Sequence, residues 1–221
     1  MRTTYPKIKG VNWSKIHDTN TRKFLLHVHT ELKQAGGSLD MHQAKSVKCE
    51  GFRVGGYFDS EDSVLAVAMK RPFGAWVRIL VHEYSHFEQC RYDVPAWRNS
   101  TMPNGEDSGQ ILWDWIEKKG KVTDRRLVDA MYRTLDVELD CERRAVENLK
   151  RFGLPINVEA YARQAAAYMY FHPYSVIRRR WYRPRHAPYM YPEIIKAMPV
   201  TLAGDFRKIS AETILLFDKY C

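Results

Sequence analysis

Paired cysteines are missing from this sequence: Cys49, Cys90, Cys141 and Cys221 are scattered along 221 residues, with no Cys-x-x-Cys among them. That spacing excludes a zinc ribbon and offers no disulfide framework, so reduced thiols of the cytosolic kind are expected. Long apolar runs are missing too. The longest, Val64 to Met69, falls far short of the about 20 residues a membrane span needs. The opening stretch, MRTTYPKIKG, is charged and has no apolar centre, so no secretory signal is expected there. A cytoplasmic protein without a membrane partner is the expectation. There is no internal repeat and no clean linker.

What is present is ordinary in bulk: 45% hydrophobic and 28% charged residues, the composition of a globular domain. Lys and Arg outnumber Asp and Glu by 35 to 26, a net charge of +9. That permits an acidic partner but does not by itself assign a nucleic-acid function.

Residues 19–35 carry Phe24, Leu25, Val28 and Leu32 on one helical stripe, which Gly36-Gly37 ends. Three strand-like pieces follow, SVKCEGFRV, GGYF and VLAVAMK, the last two joined by the polar turn DSEDS. Pro72 opens a helix to about Cys90 that is apolar on more than one side, as a central helix is. Residues 93–109 read as a long surface loop. Further helices are expected at QILWDWIEKKG, from Thr123 to Phe152, from Asn157 to about Arg180, and near SAETILLFDKY. The pattern predicts one α+β domain over residues 1–221. A small antiparallel sheet and a central helix would reach to about residue 92, with a mostly helical part over 108–221.

The chemistry concentrates in RILVHEYSHFEQC, Arg78 to Cys90. Three ionisable groups, His82, Glu83 and His86, stand in a stretch that otherwise reads as buried helix, where desolvation costs several kcal/mol each. Histidines four residues apart share a helical face and can aim two nitrogens at one zinc ion. Glu83 projects beside them, placed to act as general base toward a water molecule that the metal acidifies. This is the zincin signature, and it predicts peptide-bond hydrolysis.

A catalytic zinc needs a third protein ligand. The residues after His86, FEQCRYDV, offer no histidine at the metzincin spacing. Cys90, one turn on, is better read as a packed thiol. On the long helix, Leu135, Glu138, Leu139, Glu142, Val146 and Leu149 follow core-facing spacing, so two glutamates stand where leucines are expected. Either a solvated face with Arg143 and Arg144 or a metal-binding face would account for them; failing both, a histidine such as His172 or His186 is left to serve.

The pairing of HEYSHFEQ with ELDCERRAV resembles the gluzincin branch of the zinc metallopeptidases, and is similar to uncharacterised metallopeptidases encoded by bacteriophages. In that branch a helix-borne Glu is the third ligand, followed in several members by a small residue and an Asp that orients a ligand histidine. The resemblance implies Glu138 on the metal, Glu142 in the orienting role and Cys141 as the small residue. The motifs cover less than a fifth of the chain, and the stretch from His86 to Glu138 is longer than in compact gluzincins. The resemblance also implies an edge strand that pairs with extended substrate, for which VLAVAMK is the candidate, with an ordinary core strand as the equal alternative.

Two further features carry expectations. Arg178, Arg179, Arg180, Arg183 and Arg185 are interleaved with Trp181 and Tyr182, a composition that suits single-stranded nucleic acid. His172, with nearby tyrosines, is a candidate catalytic donor to the oxyanion of peptide hydrolysis. The alternatives to a peptidase are a nucleic-acid-associated protease resembling the SprT type, whose third ligand is a histidine, and a binding module with a structural or vestigial zinc site.

Overall fold

Asp18 starts the first helix: its carboxylate accepts the Thr21 amide at 2.6 Å, and α1 runs Thr19–Gln34 with Phe24, Leu25, Val28 and Leu32 buried. The structure, a computed structural model, describes residues 5–49, 51–183 and 186–221. These fall into two compact units, one of residues up to Tyr92 together with Arg144–Ile156, the other of Asp93–Arg143 and Asn157–Cys221.

The first unit holds α1, the five strands found among the described residues and the helix that bears the histidines. The strands are β1 (Ser38–His42), β2 (Val47–Cys49), β3 (Phe52–Val54), β4 (Gly56–Asp59) and β5 (Val64–Ala68). The turn at DSEDS does form a hairpin: β4 and β5 pair antiparallel, Gly56 opposite Val67 and Asp59 opposite Val64. SVKCEGFRV is itself a small antiparallel hairpin, β2 with β3. The larger sheet departs from expectation in two ways. Strand β1, which sequence periodicity did not single out, pairs parallel to β5 along its whole length, so the sheet is mixed rather than antiparallel. The order is β1-β5-β4. VLAVAMK is therefore the central strand and not an edge, which is why Leu65, Ala66, Val67 and Ala68 are all buried. The edge next to α2 (Phe73–Arg91) belongs to β4.

Helix α2 buries Trp76, Val77, Leu80, Val81, Tyr84 and Phe87. The apolar set wraps more than one face because α2 packs on the sheet through β4 and β5 and, through Tyr84, on Phe24 and His27 of α1.

In the second unit, the loop after α2 contains one short helix, α3 (Pro95–Arg98), before α4 (Ser108–Ile116), whose N-cap is Asp107. The long helix α5 runs unbroken over Asp124–Arg151, contributing its first part to the second unit and its last turns to the first. Met102, Ile111, Leu112, Leu127, Ala130 and Met131 form a core cluster there. Next come α6 (Val158–Arg178), α7 (Pro192–Ala197) and α8 (Ala211–Tyr220). Helix α7 is not among the helices expected from the sequence; at six residues, opened by Pro192, it is too short to show a period. The chain is thus α+β, with a small sheet and mostly helical content. No helix among the described residues is long and apolar enough to cross a membrane.

Candidate metal centre

His82 and His86 lie one turn apart on α2, half-buried, their rings perpendicular with centroids 4.8 Å apart. The second histidine is oriented by a neighbour. Its Nδ1 donates to Oε1 of Gln89 at 2.8 Å, which leaves the lone pair on Nε2, the tautomer a metal ligand needs. Gln89 is fully buried. It escaped sequence reasoning, although its three-residue offset from His86 is the spacing at which helix side chains meet.

The third partner comes from α5. His82, His86 and Cys141 each offer one ligand atom, and these atoms lie within 4.8 Å of one another, a group that could hold a metal ion. Helix continuity explains how Cys141 reaches this position. Cys141 precedes Asn148 by seven residues, two turns on the same face. Asn148 is buried against α2, donating to Oε2 of Glu88 at 2.7 Å. The end of α5 is further held by Gly153, whose carbonyl accepts from Asn20 at 2.8 Å, and by Phe152, whose ring packs at a tilt against Phe24. The donor set fits zinc: two imidazoles and a thiol are borderline-soft ligands.

Glu83 stands half-buried between the histidines, its Cγ lying close under Gly56 of β4. Glu138 is three residues before Cys141, with one carboxylate oxygen enclosed. Its charge faces the aromatic side of the second unit. It adds to the burial that raises the Tyr168 and Tyr182 phenols above their ordinary range. Glu142 is buried and accepts the Tyr161 hydroxyl at 2.5 Å. The inward stripe of α5 thus includes Cys141, Ala145 and Asn148 beside Leu135, Leu139, Glu142 and Leu149.

His172 is buried in α6, and its Nδ1 donates to the Tyr168 carbonyl at 3.0 Å. The next residue is Pro173, which lacks the N–H that would meet the carbonyl four residues back. The carbonyl that loses its helix donor there is that of Met169, one residue on from the ring's partner. Burial holds the His172 imidazole below its ordinary range, with Glu138 partly opposing, and burial does the same to His27 and His29. A histidine held neutral in the native state contributes stability above about pH 6.5 that is lost as pH falls through its depressed value. The urea midpoint should accordingly drop between pH 7.5 and pH 5. His172→Gln, whose amide can also donate to the carbonyl, should flatten that slope; an unchanged slope would show that His172 takes no part in it.

The arginines singled out for nucleic acid have partners within the chain. Arg178 grips Asp218 of α8 through Nε at 3.0 Å and a second nitrogen at 2.5 Å. Arg179 stacks 3.9 Å over the Trp115 ring and donates to its carbonyl at 2.8 Å. Arg180 contacts the Tyr174 hydroxyl and lies 3.5 Å from Asp218. Arg183 is exposed, and Arg185 lies outside the described residues. The Arg178 and Arg180 contacts brace α8, which inserts Phe217 between Phe171 and Tyr174. Replacing Arg178, Arg179 and Arg180 with Gln should lower the thermal midpoint modestly, each exposed pair being worth at most about 1 kcal/mol. Binding to single-stranded DNA at low salt should change little; a collapse of such binding would show that these arginines contact phosphates. His186, the other candidate ligand, is exposed and contacts Tyr191.

Compared with known protein families, with curated proteins and with solved structures, the chain matches none.

Proposed function

We propose that this protein is a zinc-dependent metallopeptidase with a zincin-like active site. The observation that carries the reading is the grouping of His82, His86 and Cys141, with the His86 tautomer set by Gln89. His82 and His86 supply two nitrogens and α5 supplies the third donor. Cys141 is favoured for that place by distance, while Glu138 is favoured by the gluzincin resemblance. When bound, zinc would lower the pKa of water and polarise the scissile carbonyl.

The remaining work falls to this chain's side chains. A carboxylate oxygen of Glu83 accepts the proton of the attacking water and returns it to the leaving nitrogen. Gln89 holds the His86 ring in register. Packing of α2 on β4 and β5 keeps solvent from that side of the helix and strengthens these interactions. An intact carboxylate between the two histidines favours hydrolysis over a structural site, which has no use for a base.

The test is metal analysis of the purified protein together with a general peptidase screen. About one zinc per chain and peptide cleavage abolished by a chelator are expected. Stoichiometric zinc with no cleavage of any peptide or protein would favour the structural-zinc alternative; no metal at all would overturn the reading.

A further inference from the structure

Strand β4 lies along α2 with alternate residues turned to the helix. Phe58 meets Phe87 there, their rings nearly perpendicular and 5.7 Å apart. Two residues earlier the strand carries no side chain, and the helix fills the space one would need. A Cβ on Gly56 would fall 2.5 Å from Cγ2 of Ile79, 2.7 Å from the Ala66 carbonyl oxygen and 3.3 Å from Cγ of Glu83. Gly56 is not among the glycines with positive φ, so space and not backbone conformation demands glycine here. Its neighbour differs. A Cβ on Gly55 would meet Cδ1 of Ile79 at 2.7 Å, the far end of a flexible side chain.

Ile79 and Glu83 are four residues apart on one face of α2. The Glu83 stem is therefore held between its own helix, the Ile79 side chain and the bare backbone of β4. We propose that Gly56 is a positioning residue for the general base: the strand crosses Glu83 without a side chain, and this close seat fixes the direction of the carboxylate beside His82 and His86. The proposal rests on the reading of Glu83 as general base. A base must come within about 2.6–3.2 Å of the proton it takes, and a misplacement of about 1 Å can cost on the order of 10²-fold in rate.

The seat can be read apart from activity. In the zinc-loaded wild-type protein, an NOE between the Gly56 α protons and the Glu83 γ protons is expected; its absence would overturn the proposal whether or not the protein cleaves peptides. The kinetic arm uses three variants. Gly56→Ala should keep its zinc and lower kcat by about 10- to 100-fold with KM little changed. Ile79→Ala removes the side support without inserting an atom, and should lower kcat several-fold with the same KM pattern even if Gly56→Ala folds poorly. Gly55→Ala, which only displaces the tip of Ile79, should stay within about threefold of wild type. Wild-type kcat in both Gly56→Ala and Ile79→Ala would overturn the positioning role. The NOE in a protein that hydrolyses nothing would leave the seat standing and refute the peptidase reading alone.

Discussion

Glu83→Gln should leave zinc content and fold intact while lowering kcat by about 10²- to 10⁴-fold, the usual contribution of a positioned general base. The substitution preserves the shape of the side chain and its contact beneath Gly56, so the packing of β4 on α2 has no reason to change. What is lost is one property: an amide oxygen cannot take and return the proton. Because the change acts on the chemical step, KM should move far less than kcat. Steady-state peptidase kinetics with metal analysis on the same preparation decide the matter. Equal turnover in wild type and variant would remove Glu83 from the mechanism.

The second large effect concerns the metal. His82→Ala or His86→Ala should each lose most of the bound zinc, since two of three protein donors cannot hold it in an open site. The thermal midpoint should fall with it, because a metal that binds only the folded chain stabilises that chain. Gln89→Ala should be milder, about 10- to 100-fold in affinity or activity, as is usual when the partner that orients a ligand is removed. The third donor is decided by cobalt substitution. With Cys141 coordinated, the Co(II) protein should show a thiolate charge-transfer band that Cys141→Ser abolishes. If the band never appears and Glu138→Ala releases the metal, the carboxylate is the ligand. Retention of full zinc by both histidine variants would show that α2 is not the metal helix.

Much of this was legible in the residues. The stripe of α1, the stop at Gly36-Gly37 and Pro72 at the head of α2 mark helices with little ambiguity, since periodicity and chain-breaking residues are local physics. The pair His82 and His86 was legible for the same reason: four residues fix a face. Strand β1 was harder. SLDMH buries only Leu39 and Met41, and its pairing with β5 joins residues far apart in the chain, which no local pattern encodes. The rank of VLAVAMK as central rather than edge follows from that unseen partner. Cys141 was hidden by its size, reading as the small residue of a motif; only the rotation of α5, set by Asn148 against Glu88, turns its thiol inward. Gln89 and Gly56 were hidden because each matters through a neighbour and not by its own chemistry.

The course of α5 has a consequence for how the chain is made. Synthesis delivers α2 long before the residues that finish its surroundings: Glu88 waits 60 positions for Asn148. Until the ribosome passes that point, a carboxylate destined for burial has no amide to meet, and the first unit lacks its closing turns. Nor does a cut after Tyr92 free a self-sufficient piece, because Arg144–Ile156 belongs to the earlier unit. Growing chains halted between the two positions should therefore be protease-sensitive and unable to retain zinc, and maturation of the centre should come late, in one step, when the tail of the long helix docks.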